Sequence, residues 1–523
     1  MASSWILTAL LFLFLVVSPL LALSKRDPER ERQERQCKSE CERSRERESE
    51  VRQCKQECEE RYRREKGQGR NIEERERESE SESEGRRRGV TGNPYAFERD
   101  RFVRDISTEH GSFRTLPPFT ERSELFRGIE NNRICIMELK PNAFVLPHHK
   151  DADIIYYVAN GDARLVTIGE ERQDSHNLKK GDTATIPAGK TTYIINKDSQ
   201  RELKIVALLQ TISTPGQYEI FFGATGQNPP SYLRAFSDEI LEASFNVDRS
   251  RLSRLLEQKG QGPIVRPSSE QLQGLIHGGS GGGKWPFGES EESERPFNLF
   301  SRRPRISNDH GELYELDETE YSPLREFDIA ISFANISRGS LEVPFYNSRA
   351  TEIYVILEGR ARIEMACPHV SGGREQEGSR RGQGEQEGSR GGQREQEGSR
   401  REQEQEERGK GQGQEIKYHK IRSDLNPEDL FVAPPSHPIA IRASQEENLQ
   451  IISFEINARR NRKYFLAGKN SILNQIERAA KEVSFNVPSR EAEEVLRAQS
   501  DSVFVVGPRQ QREGREGEGR AVA

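Results

Sequence analysis

Between Asn93 and Leu209 the chain is a succession of short runs in which apolar and polar residues alternate, each broken by Gly, Pro, Asn or Asp. Ile134-Cys135-Ile136-Met137-Glu138-Leu139 and Ala163-Arg164-Leu165-Val166-Thr167-Ile168 are examples. A period of two predicts strands, and their regular spacing predicts an antiparallel barrel or sandwich. After Tyr232 the period changes. Leu233, Phe236, Ile240 and Leu241, then Leu252, Leu255 and Leu256, recur at helical spacing, with Asp238-Glu239 in the first turn. The unit is a β-barrel followed by a small helical cluster.

The unit occurs twice. Ser244-Phe245-Asn246-Val247 returns as Ser484-Phe485-Asn486-Val487, each time after an amphipathic stretch. Upstream, Ile154 to Gly161 is matched by Ile353 to Gly359, and Ile186-Pro187-Ala188-Gly189 by Ala433-Pro434-Pro435-Ser436. A repeat this long means two copies of a whole domain rather than a solenoid of small units.

Only 32% of residues are hydrophobic and 32% are charged, too polar for one uniform globule. The excess gathers in segments without apolar content, which cannot bury anything. These are the Glu/Arg/Ser run from Glu73 to Arg88, the Gly-rich linker at His277–Gly283, the loop 371–415 with its Glu-Gln-Glu-Gly-Ser-Arg repeats, and the tail after Pro508. A net charge of −6 with intermixed signs argues against a nucleic-acid surface. Trp5 to Leu21 is almost wholly apolar and ends at Ala22 before an abrupt polar tract, the pattern of a secretory signal rather than a membrane span. The expected product has no membrane attachment once that signal is removed. Cys37-x3-Cys41-x12-Cys54-x3-Cys58 places each pair on one helix face, so two short helices can join through two disulfides. Cys37–Cys58 with Cys41–Cys54 is the simplest of three connectivities, and zinc is the weaker reading on a secretory route. Asn335-Ile336-Ser337 is the one glycosylation sequon.

In the first half, Pro147-His148-His149-x3-Asp153-x7-Gly161 is followed by Gly181-x5-Pro187-x-Gly189 and Asn196. This resembles the paired motifs of the cupins, whose enzymes hold a divalent metal with histidines and an acid. The pattern is incomplete. His148 and His149 are adjacent and must face opposite ways on a strand. Thr192 stands where the later histidine belongs. The second half reads Tyr346-Asn347-x4-Glu352, with Ile439 at the later position. Neither half keeps the metal set, which argues against an enzyme and predicts apolar fillings in both barrels. A metal-dependent cupin enzyme and a small-ligand-binding bicupin are the rival readings.

The two-barrel order, the repeated Ser-Phe-Asn-Val, the Glu/Arg/Gln loop and the Cys-x3-Cys leader together resemble the vicilins, the 7S seed globulins. The resemblance implies a mainly β protein of two tandem cupin (jelly-roll) domains, each with a helical arm, behind a disulfide-linked helical hairpin. The segments are then a signal at 1–23, the hairpin and charged spacer at 24–91, cupin 1 at 92–276, a linker at 277–296, cupin 2 at 297–508 and a tail at 509–523. It also implies a homotrimer joined through the arms, deposited in protein storage vacuoles as a nutrient reserve and open to IgE recognition. The composition is consistent: Met is limited to 3 residues, while Arg and Gln fill the loops.

Cys367 and His369 lie two apart at the end of a strand, and His437 begins a later strand. A thiolate with two imidazoles suits copper, with zinc second. Some vicilins join such a set with a tyrosine from the N-terminal segment, and Tyr95 is the matching residue. Cys135, on an alternating strand, reads as core.

Overall fold

The computed structural model describes residues 93–169, 173–260, 262–277, 295–368 and 418–508. Met1–Gly92 is a unit separate from Asn93–Ala523, and all of the described residues belong to the second. The signal segment, the four hairpin cysteines, His369, most of the linker and the 371–415 loop lie outside the described residues.

Four sheets form two barrels. The first pairs a seven-stranded sheet centred on Ala152–Asn160, Leu203–Thr211 and Asn132–Leu139 with a six-stranded sheet centred on Phe144–Lys150, Thr191–Asn196 and Asp162–Ile168. The second repeats this with Thr351–Glu358, Leu449–Ile456 and Ile329–Ile336 in one sheet, and Ala361–Cys367, Ile439–Ala443 and Ser340–Asn347 in the other. The central ladders are antiparallel, as alternating runs joined by short turns require.

The central strands of the seven-stranded sheets are buried on both faces. In Ala152–Asn160, Ile154, Tyr156 and Val158 belong to the interior of the first barrel, while Ile155 and Tyr157 join the core shared with the second. Tyr157 stacks on Phe333 of the second barrel, centroids 6.5 Å apart. That double burial explains why Ile154–Val158 is a continuous apolar run rather than a strict alternation. Each such buried side chain contributes roughly 1.5–3 kcal/mol.

Two short strands are exchanged between the barrels. Ala96–Phe97, ahead of the first barrel, pairs with Phe431 and Leu430 at an edge of the second. Phe297–Asn298, ahead of the second, pairs with Thr183 and Asp182 of the first. Charges close the same junction: Glu428 bridges Arg114 at 2.9 Å and Lys204, and Glu138 meets both cations, at 2.9 and 3.4 Å.

Each barrel is followed by a pair of short helices, Asp238–Phe245 with Arg249–Leu256 and Arg478–Phe485 with Ser489–Leu496, and a further helix, Ser269–His277, follows the first pair. The repeated Ser-Phe-Asn-Val is the end of the first helix of each pair. Asn246 and Asn486 sit at its C-terminus in the left-handed conformation, φ 50° and 53°. Asparagine tolerates that region better than other side chains, so it stops the helix and turns the chain into the next one. Gly161 and Gly359 mark equivalent strand ends, with φ of 89° and 78°; a Cβ at Gly359 would lie 2.2 Å from the Asn448 carbonyl oxygen.

Candidate metal centre and barrel interiors

Tyr95 reaches the second barrel because its neighbours are stitched to that barrel's edge. The Ala96–Phe97 ladder and the Val432 N–H donating to the Tyr95 carbonyl at 2.9 Å fix the backbone. The ring is fully buried, edge-on to Phe126 at 5.8 Å and tilted against Phe431 and His437, both at 6.4 Å. Its Oη lies 3.1 Å from Cys367 Sγ. Burial, then the contact with Cys367, pushes the phenol well above its ordinary range. Cys367 is a free, fully buried thiol at the end of its strand.

His437 follows Ser436, whose φ of 62° folds the turn back. The imidazole Nδ1 lies 2.9 Å from the Pro435 carbonyl oxygen, which can only accept, so Nδ1 carries the proton and Nε2 keeps the lone pair in the neutral ring. That is the tautomer a metal ligand needs. The structure thus brings Tyr95, Cys367 and His437 into one buried neighbourhood, with a soft sulfur, a phenol and an imidazole fit for copper. His369 lies outside the described residues. His419, which sequence reasoning missed, pairs directly with Cys367 across the sheet and shares its face. Among the described residues no group of three or more His, Cys, Asp and Glu side chains is arranged to hold a metal ion.

In the first barrel the adjacent histidines do part. His148 is buried in the interior, opposite Thr192. His149 points outward and stacks on Phe221 at 4.9 Å. Thr192 donates to the Val166 carbonyl at 3.0 Å, and Asp153 accepts the Ala188 N–H at 2.8 Å, so neither faces a metal. The space beside His148 is taken by Lys150, whose Nζ lies 3.3 Å from Nε2 and over the Phe113 ring. Burial and then the lysine's charge press His148 down to about 3, and burial lowers Lys150 to about 8.

The second barrel has Phe345 opposite Ile439 at the register of His148 and Thr192. Its motif acid, Glu352, does point inward. The Lys463 ammonium lies 3.5 Å from Glu352, 3.4 Å from Glu455 and 3.8 Å from Glu315. The expectation of apolar fillings therefore holds for most of each lining but not for all of it. A lysine stands in each, in the second barrel amid carboxylates.

The cupin family model matches residues 129–252 and 297–493. A vicilin of Juglans regia, Jug r 6.0101, is 41% identical over 422 residues, covering 80% of this chain and 79% of that protein. A 63 kDa globulin-like protein of Oryza sativa subsp. japonica is 43% identical over 441 residues, covering 83% and 77%. The crystal structure of the Corylus avellana (hazelnut) vicilin superposes with a TM-score of 0.66 at 38% identity, covering 80% of this chain and all of that one. This chain belongs to the vicilin family of cupins. As a vicilin it is a seed storage protein, mainly β, with two cupin domains.

Asn335, the sequon of this vicilin, lies within the strand Ile329–Ile336, half-buried, with Oδ1 enclosed and without a hydrogen-bond partner.

Proposed function

We propose that this vicilin is a nitrogen reserve of the seed protein storage vacuole, packed as a homotrimer through its two helical pairs. One observation carries the assembly. The helical pairs expose apolar side chains at equivalent positions: Phe245 and Phe485 are 50% and 45% exposed, Leu255 and Val495 67% and 72%. Both copies of the repeat present the same apolar ridge, exposed among the described residues. A head-to-tail contact, first pair of one protomer on second pair of the next, covers both ridges and closes as a ring of three. Sedimentation of the purified mature chain tests it: a trimer is expected, and a monomer at micromolar concentration overturns it.

The second barrel's edge would hold one copper through Cys367, His437, His369 and Tyr95. When bound, copper would supply a one-electron redox centre. The support is the buried Tyr95–Cys367 contact and the His437 tautomer described above. The chain's own contribution is to exclude water and to hold the phenol against the sulfur. Metal content of protein purified without chelators, beside Cys367→Ser, tests this. Near one copper per protomer falling to almost none is expected; no stoichiometric metal in the parent makes these residues structural. The names of the Juglans regia and Corylus avellana relatives, Jug r 6.0101 and Cor a 11.0101, follow allergen nomenclature, so IgE recognition extends to this chain as part of the proposal.

A further inference from the structure

The interior of the second barrel holds an imbalance of charge. Five strands converge on it: Glu315 from Gly311–Leu316, Glu342 from Ser340–Asn347, Glu352 from Thr351–Glu358, Glu455 from Leu449–Ile456, and Lys463 from Lys463–Phe465. Four carboxylates face one ammonium. Glu342, Glu352 and Glu455 are 3%, 1% and 7% exposed, too buried for water to make up the difference. With Glu315 also paired to Arg305, full ionisation would leave the three enclosed carboxylates with two uncompensated negative charges, at a cost to the fold.

The hydrogen bonds show where the charge is tolerated. Glu352 accepts from Tyr354 Oη at 2.7 Å, Asn347 Nδ2 at 2.6 Å and Ser453 Oγ at 2.7 Å, and meets Lys463 as well. Glu455 accepts from Ser332 at 3.2 Å and Asn461 at 3.0 Å beside the same ammonium, and these oppose, without cancelling, the rise that burial imposes on its carboxyl. Glu315 is nearer the rim and also pairs with Arg305. Among the described residues Glu342 has none of this support. Its Oε1 is enclosed without a hydrogen-bond partner, and the residues opposite it on the flanking strands are Ile441 and Phe504. It lines the same small cavity as Glu352, Tyr354 and Lys463.

We propose that the second barrel is a proton-linked device: the four carboxylates share one lysine ammonium and one bound proton, held on Glu342, and loss of that proton weakens the fold. The vacuolar storage reading enters only in giving this a use, since such a fold is favoured in an acidic compartment. Burial is the main reason that Glu342 is pushed up to about 8; Lys463 opposes the rise, and Glu352 and Glu315 add to it. Lys463 is held above its ordinary range: burial works against its charge, but Glu352, Glu455, Glu315 and Glu342 outweigh burial. Tyr354, raised far above its ordinary value chiefly by burial, stays neutral.

The sign follows. A carboxyl whose folded value exceeds its unfolded one binds a proton that unfolding releases. Its contribution is complete below the unfolded value of about 4.3 and is lost as pH rises through the folded value. Across that window the folding equilibrium constant falls by up to about tenfold per pH unit.

Thermal unfolding of the mature chain and of Glu342→Gln between pH 5 and 9 is the test, with protons released on unfolding counted by calorimetry in two buffers of different ionisation enthalpy. The parent is expected to lose stability steadily from pH 5 to about 8 and to release about one more proton per protomer at pH 6.5 than Glu342→Gln, whose profile is flatter. Equal slopes and equal proton counts overturn the proposal. Lys463→Met is the second variant, because it leaves the carboxylates without their ammonium. A steeper pH dependence is expected, and an unchanged one also overturns the proposal. Neither result bears on whether the protein is a reserve, which tissue localisation and sedimentation decide.

Discussion

Tyr95 and Cys367, 272 residues apart, meet in a buried oxygen–sulfur contact of 3.1 Å. The contact ties the start of the described residues to the last described strand before residues 369–417. Tyr95→Phe keeps the ring against Phe126 and Phe431 and removes only the hydroxyl, so a loss of about 1 kcal/mol is expected. Tyr95→Ala also empties the ring's place, and about 3–5 kcal/mol is expected. Denaturant midpoints check both; equal losses would show that the ring contributes no packing.

The helix ends offer a separate test. Asn246 and Asn486 both hold φ near +50°. Alanine in that region is strained, so Asn486→Ala should cost about 1 kcal/mol, while Asn486→Gly should be close to neutral. The same ordering is expected at Asn246. Thermal midpoints of the four single variants decide it, and Gly proving worse than Ala at either site would refute the capping role.

These asparagines also show why the architecture was readable. A helix stop, a Gly with φ near +80° and a Pro-bearing turn are local requirements, so both copies spell them in similar letters. The interiors were not readable for the opposite reason. Glu342, Glu352, Glu455 and Lys463 come from four strands, and each alone reads as an outward-facing polar residue. Only the register, which puts Glu352 opposite Glu455, brings them together. His419 was hidden likewise, because its partner Cys367 precedes the long polar loop. The exchanged strands Ala96–Phe97 and Phe297–Asn298 are two residues each, too short for any periodicity. The parting of His148 and His149 needed nothing beyond the strand's period of two, and it was foreseen.

Glu428 should answer pH in the sense opposite to Glu342. Burial alone would raise its carboxyl, but the hydrogen bonds and charges of Lys204 and Arg114 win and hold it below the ordinary glutamate range. A group depressed in the fold adds stability above its unfolded value and loses it as pH falls through the folded one. Glu428→Gln should therefore cost about 2 kcal/mol at pH 7, with the gap to the parent closing below about pH 4. Urea titrations at pH 7 and pH 3.5 measure this. A gap that stays constant with pH would mean that the loss is one of packing and not of charge.

The exposed ridges on the two helical pairs make a prediction about mixtures. Leu255→Glu puts a charge on the first ridge and Val495→Glu on the second, both far from either barrel interior, so each variant should fold with nearly the parent's thermal midpoint. If the trimer is head-to-tail, each variant alone has a spoiled surface at every junction and sediments as a monomer. Mixed in equal amounts, the intact first ridge of Val495→Glu meets the intact second ridge of Leu255→Glu. One sound junction forms and the next is blocked at both ends, so the mixture should sediment as a dimer. A contact in which each ridge meets its own copy gives a different outcome. Each variant would then keep one self-complementary junction and dimerise alone, and mixing would change nothing. Sedimentation velocity on the two variants, separate and combined, distinguishes these geometries.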